Sequence, residues 1–330
     1  MKSFWSAVRY YIHKVVAHGL SELVALRRTV YREPGMRAVA PSDFSFSGTF
    51  VLAFWDPILV HLGDQLFHEP LARALKRVGA VKIVVDPRLE PYFKGLGYDT
   101  IRLAELGQGG HVFISKNDML HAITSRFPQA AAIGIDYAAI EGGDRVVVAM
   151  IGLVSRALQG LGLQPLPALS GPDFEPAVPA SLTRGCESAP WAASIAHDGR
   201  YLAFNNYVAS GIVEAKQREH LLVELVQKMK DEGYRIIHTG SAGDKRNDPR
   251  AYPFVDIDLR GRFSPTDLFS LFAHPAVRGV VSFDAYVVHV ASLLKKDLYV
   301  VAKSAATKDA FGRRFVPMFP GGERLLKEYL

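Results

Sequence analysis

Thiols are nearly absent from this chain: Cys186 is the one cysteine in 330 residues. An intrachain disulfide is excluded, and so is a zinc site built on several thiolates. The count fits a reducing compartment, which makes the cytoplasm the expected location. Long apolar runs are absent as well. None approaches the roughly 20 residues that a bilayer-spanning helix needs, and no compact apolar core with a small-residue cleavage site marks a secretory signal. No internal repeat or low-complexity tract stands out. Charged residues are sparse, 22% against 49% hydrophobic, which is the balance of a chain with a sizeable core. The length favours two domains.

Excess positive charge is confined to one end. The net charge at pH 7 is +6, and residues 1–37 account for +5 of it through Lys2, Arg9, Lys14, Arg27, Arg28, Arg32 and Arg37 against Glu22 and Glu33. The remainder is nearly neutral, so a broad nucleic-acid surface is excluded and no nucleic-acid partner is expected. The same segment interleaves cations with aromatic and aliphatic residues, and Phe4, Val8, Tyr11 and Val15 recur at helical spacing. Two readings stay open for this basic amphipathic segment (residues 1–47). It is a helix lying on an anionic membrane surface, on the inner face of the cytoplasmic membrane, or a helix packed on its own domain with a solvated basic face.

From residue 48 the pattern alternates. GTFVLAFW, VKIVVD, HVFISK and AAAIGIDY predict strands, with a helix over 64–78 and a long one over 144–161. Residues 164–190 are rich in proline and lose periodicity, which marks a linker. Alternation then resumes. YLAFNNY, RIIHTG, VRGVVSFD and DLYVVAK read as strands. Helices fall over 214–231, over 264–274 with Ser264 as N-cap, and after Asp284. The organisation expected is two Rossmann-like α/β domains, 48–163 and 197–330, joined by a linker over 164–196. Ligands of open parallel sheets bind outside the carboxyl ends of the strands, so two such domains facing each other would line a central cleft.

Several residues fall at those ends. Asp64, after Gly63, follows the first strand. It is either an ordinary helix cap or a carboxylate base. Asp284 closes a strand, Ala285 and Tyr286 open the next helix, and His289 lies within it; a helix start there suits a phosphate. The bland alternative is a capping aspartate and a packed histidine. Asn205 and Asn206 end the strand YLAFNNY, and 239-TGSAGDK-245 brings Ser241 to the end of the next. These too can be ordinary turns. Two other patterns carry little. The triplet 256-DID-258 matches a metal-binding carboxylate pair by chance more often than by function. His61 and His68 flank Asp64 without a third ligand, so no metal is expected.

Three stretches, GDQLFHEPLARALKR with VKIVVDPRLEPYF, LRGRFSPTDLFSLFAHPAVRGVVSFD, and AYVVHVASLLKKDLYVV, together resemble glycosyltransferase family 9, the heptosyltransferase-like enzymes of the GT-B fold. The resemblance spans roughly residues 48–305. It implies inverting, metal-independent and cofactor-free transfer of a sugar from a nucleotide-sugar donor to a cell-surface glycan or lipid-linked saccharide, of lipopolysaccharide or capsule type. It puts the catalytic base on Asp64, with Gly63 and Gln65 on the acceptor side. Asn205, Asn206, Ser241, Phe263, Asp284, Ala285, Tyr286 and His289 then fall on the opposite, donor wall. The chain departs from the family where Asp284-Ala285-Tyr286 stands in place of Asp-Thr-Gly, and Lys216 is the candidate for the family's basic residue. Other GT-B activities, such as a nucleotide-sugar epimerase or a polysaccharide pyruvyl transferase, remain alternatives, as does a catalytically degenerate scaffold.

Overall fold

The structure is a computed structural model that describes residues 12, 15–23, 28–54, 62–141, 144–184, 186, 189, 191–207, 212–303 and 316–330. The side chains of Asp64, Ala138, Ile212 and Val213 are outside the description. The positions of Phe4, Val8, Tyr11 and His61 therefore lie outside the described residues, and so do those of Lys2, Arg9, Lys14 and Arg27. By their contacts the residues form two units. One comprises Met1–Val60, Phe67–Pro87 and Gly97–Phe174, the other His61–Leu66, Arg88–Leu96 and Glu175–Leu330.

The first unit is built on seven strands: β1 (Thr29–Glu33), β2 (Met36–Val39), β3 (Thr49–Ala53), β4 (Ala80–Val84), β5 (Asp99–Thr100), β6 (Val112–Lys116) and β7 (Ala131–Ile135). Their order is β1-β2-β7-β6-β3-β4-β5, parallel from β7 to β5. Every residue of β7 is buried, as a strand covered on both faces requires. Val51, Ala53, Val84, Phe113 and Ala132 pack with Leu120, Ile123 and Phe127 of the helical stretch that follows β6. The antiparallel hairpin β1–β2 extends this sheet along β7. The sequence reading gave that stretch no strand. Its turn is Pro34-Gly35, where Gly35 takes φ +79°, a conformation that favours glycine, and a Cβ there would stand 2.7 Å from Ile140.

The second unit holds β8 (Tyr201–Asn205), β9 (Arg235–His238), β10 (Ile257–Asp258), β11 (Val277–Phe283), β12 (Asp297–Val301) and β13 (Leu326–Tyr329), all parallel, in the order β10-β9-β8-β11-β12-β13. Leu222, Leu225, Val226 and Met229 of the helix Glu219–Asp231 pack on Leu202, Phe204, Ile236, Val281 and Phe283. The two sheets share one logic. The first parallel strand, β3 or β8, is central, and the order reverses beside it, so each unit has a topological switch point.

Three helices differ from the sequence expectation. The helix expected over 64–78 is two, Leu62–Leu66 and Glu69–Leu75, with Pro70 in the first turn of the second. Proline lacks an N–H and its ring clashes with the carbonyl four residues back, here Leu66, which breaks a continuous helix. The helix expected over 214–231 is divided at Arg218 into Ile212–Gln217 and Glu219–Asp231, with no evident local cause. The helix expected over 264–274 is shorter, Asp267–Ala273, but Ser264 and Asp267 still exchange side-chain-to-backbone hydrogen bonds ahead of it.

Candidate functional site

In the second unit the switch point falls between β8 and β11. Asn205 and Ser282 are register partners there. β11 ends at Phe283. Asp284 follows half-buried, and Ala285 opens the eight-residue helix Tyr286–Leu293 from an extended conformation, φ −147° and ψ 170°, with no side-chain cap. The amides of that first turn therefore emerge at the carboxyl edge of the sheet without a capping oxygen from residue 285. His289 lies one turn in, 7% exposed. Its Nε2 is 3.5 Å from Asp284 Oδ1, and its carbonyl accepts a hydrogen bond from Ser292. Protonated, His289 would offset the Asp284 carboxylate, which would otherwise repel an anion at this edge.

Gly63 belongs to the same unit and packs against His289. A Cβ on Gly63 would stand 2.5 Å from His289 Cδ2, which a real side chain does not tolerate. The glycine of the Gly-Asp pair is thus what lets the helix Leu62–Leu66 lie against the helix Tyr286–Leu293. The Gly-Asp motif and the histidine expected on the donor wall are therefore in contact at this point. Gln65 is buried in the same short helix. The side chain of Asp64 is outside the described residues; its backbone lies in that helix.

Asn205 and Asn206 both end β8, but their side chains hold the loop together. Asn205 donates to the Thr239 carbonyl (3.0 Å) and accepts from the Tyr207 amide (3.1 Å). The amide group of Asn206 donates to Asp248 (2.6 Å) and Tyr252 (2.9 Å), and its carbonyl oxygen lies 3.2 Å from His238 Nε2. Since that oxygen can only accept, Nε2 carries the proton. Arg250 binds both Asp248 and Glu219, and Arg260 donates to Asp258 and to the Asp248 and Arg250 carbonyls. Burial, with the nearby Arg260 charge, pushes His238 down to about 3, so the ring is neutral at pH 7. Burial works against ionisation of Asp248, but hydrogen bonds from Arg250, Asn206 and Tyr252 outweigh it and hold the carboxyl far below the usual range. Sequence reasoning missed this network because its members come from separate segments around β8, β9 and β10, and none recurs at a helical or strand period.

The other assigned residues have definite places. Ser241 caps the helix Ala242–Asn247 in a reciprocal pair with Asp244. Phe263 sits edge-on to Trp191 with centroids 5.8 Å apart. Tyr286 donates from its hydroxyl to the Pro265 carbonyl (3.1 Å), tying the turn after Phe263 to the helix that Tyr286 begins. Lys216 is exposed. Ser282 is wholly buried on β11, and among the described residues its hydroxyl has no hydrogen-bond partner. Asp256 is taken up by Lys230 and the Ile236 amide, and Asp258 by Arg260. His68 pairs with the Tyr137 hydroxyl and stacks on Phe54.

No family model and no curated protein matches the chain. Solved structures do. A glycosyl transferase family 9 protein from Veillonella parvula DSM 2008 superposes with a TM-score of 0.53 at 13% identity, over 77% of this chain and 80% of that one. The ADP-heptose LPS heptosyltransferase II of E. coli gives 0.51 at 15% identity, over 77% and 84%. The chain has the fold of these transferases: two Rossmann-like units, each built on a sheet with a parallel α/β core.

Proposed function

We propose that this protein is a sugar transferase that takes its donor as a nucleotide diphosphate sugar and works by inversion, without a metal. The observation that carries this reading is the carboxyl edge of β8 and β11. There an extended Ala285 leaves the first turn of a full-length helix without a side-chain cap, next to a buried His289 paired with Asp284. A diphosphate at this edge would accept hydrogen bonds from first-turn amides, Val287 among them, and would complement the positive end of the helix dipole. His289 lies 3.5 Å from Asp284 at this edge. Asn205, Asn206 and Ser241 shape the neighbouring loops, and Phe263 and Tyr286 frame the turn beside the edge.

In the reaction so read, an acceptor hydroxyl oxygen attacks the anomeric carbon while Asp64 takes its proton. The bond from that carbon to the diphosphate oxygen breaks, and the nucleotide diphosphate leaves with the electron pair. The likeness in fold to an ADP-heptose LPS heptosyltransferase makes ADP-linked sugars the first donors to try and a lipopolysaccharide- or capsule-type glycan the first acceptor. The single cysteine supports a cytoplasmic setting. One observation favours a second reading, a degenerate scaffold: Ala285 and Tyr286 replace the Thr-Gly pair of the resembling family.

A screen of nucleotide diphosphates and nucleotide sugars by thermal stabilisation, followed by donor turnover with a glycan acceptor, tests the reading. A bound donor raises stability by about 2.7 kcal/mol at 100 times Kd. Asp64→Asn is expected to cut transfer by about 10²–10⁴-fold while the melting temperature and donor stabilisation hold. Stabilisation without turnover in the parent would favour the scaffold, and parental turnover in Asp64→Asn would remove Asp64 as the base.

A further inference from the structure

Residues 15–23 form a helix in the first unit that is turned the wrong way round for a solvated surface helix. Its polar face is the one that docks. Ser21 is wholly buried, donates to the Asp118 carbonyl (3.1 Å) and accepts from the His121 amide (3.2 Å). Glu22 accepts from Arg37 (2.8 Å), and His18, itself exposed, has its Nδ1 3.3 Å from Asp118 Oδ1 at the margin of the contact. The Arg37 hydrogen bond, opposed by burial, holds the Glu22 carboxyl below its usual range, as a committed pair should. His18, Ser21 and Glu22 lie together on one side at 3.6 residues per turn.

The opposite side carries the apolar stripe, and it faces outward. Val15 is 71% exposed, Val16 54%, Leu20 37% and Leu23 58%. Ile12, at 59%, falls on the same line one turn earlier. These positions, 12, 15, 16, 20 and 23, are the i, i+3, i+4, i+8, i+11 pattern of a single helix face. Val30 on the edge strand β1 adds another exposed aliphatic residue. In the described residues these six are the large hydrophobic side chains left exposed, so the chain concentrates in this one segment the apolar surface it buries elsewhere. A stripe of this kind marks an interaction surface.

Charge identifies what covers it. The segment 1–37 holds +5 of the chain's +6, and its sequence places Phe4, Trp5, Tyr10 and Tyr11 among the cations. Aromatic residues of that type are enriched at the level of lipid headgroups, and cations beside an apolar stripe are drawn to anionic lipid. A second copy of the same chain would set two +5 segments against each other. No described helix is long and apolar enough to cross a bilayer, so the contact would be one of lying on the surface.

We propose that the stripe Ile12, Val15, Val16, Leu20 and Leu23 is the face by which this protein lies on an anionic membrane, with the other side of the same helix fixed to the first unit through buried Ser21 and the Glu22–Arg37 pair. The lipid-facing side is thereby fixed relative to that unit, instead of hanging on a tether. The inference does not need the transferase reading, because vesicle binding is measured with no sugar present.

The test is sedimentation of the full chain with vesicles of phosphatidylcholine alone or mixed equally with phosphatidylglycerol, for the parent and for Val16→Glu/Leu23→Glu. Both positions are exposed, so the variant should keep the parental melting temperature. The parent is expected to bind the mixed vesicles, to bind pure phosphatidylcholine far less, and to release as salt rises. The variant should lose at least about tenfold in partitioning. A folded variant that sediments like the parent, or a parent that ignores the mixed vesicles, overturns the proposal. So does a parent that is dimeric in solution and becomes monomeric on the double substitution, which would give the stripe to a second copy.

Discussion

At Gly63 the side chain is absent for a reason that the Gly-Asp spelling alone does not reveal. The nearest atoms to a hypothetical Cβ are those of the His289 ring, at 2.5 and 3.1 Å, and that ring is buried. Gly63→Ala should therefore cost about 1–3 kcal/mol through overpacking. Gly107→Ala, where a Cβ meets open space, should stay within about 0.5 kcal/mol of the parent. Urea denaturation of the two variants checks this, and equal midpoints would mean that His289 yields without cost. Part of this was legible beforehand. Gly63, Asp64, Asp284 and His289 stand out in the sequence by their places after strands. Their partners do not, because Gly63 and His289 are more than two hundred residues apart and no local pattern relates them. The two asparagines show the same limit. Their position at the end of β8 followed from the strand pattern, whereas their hydrogen bonds to Thr239, Asp248 and Tyr252 depend on loops that local periodicity does not describe.

Among the elements, the end of β9 and the loop network beside it carry a pH dependence through His238 and Asp248. His238 binds its proton near 6.5 when unfolded and only at about 3 when folded. Between those values the unfolded chain holds more protons, so stability is full above the unfolded value and falls as the pH drops through that window, by up to about 1.4 kcal/mol per pH unit. The depressed Asp248 adds acid lability in the same direction, below the normal carboxylate range. A His238→Gln protein, less stable overall for losing the ring packed on Phe204 and Tyr252, should show a flatter fall between pH 6.5 and about 4.5. Thermal melts across that range decide it, and parallel slopes would assign the acid sensitivity elsewhere. Element by element, strands were easier to foresee than helix limits. The buried parallel strands read as apolar runs, whereas the apolar spacing over 64–78 runs on through Pro70, whose chemistry divides the helix. The hairpin β1–β2 escapes the same reading, although 29-TVYREPGMRAV-39 places Pro-Gly between two short strands.

On the scale of the whole molecule, the alternation of strands and helices predicts two parallel α/β sheets, and each unit has one, the first extended by the antiparallel hairpin β1–β2. What the alternation could not supply is strand order. The order is set by crossovers, and it makes β8 and β11 neighbours with their carboxyl ends at a switch point. The functional reading rests on that edge, and Ala285→Asp examines it most directly. The backbone at 285 is already extended, as an N-cap requires, so an aspartate there should cap the first-turn amides and raise stability by about 1 kcal/mol. The same carboxylate would occupy the amides assigned to the diphosphate and repel it. Calorimetric titration of the parent and of Ala285→Asp with ADP and other nucleoside diphosphates should give measurable binding to the parent and at least about tenfold weaker binding to the more stable variant. Equal affinity in the two proteins, or no nucleoside diphosphate binding to the parent, would contradict the account.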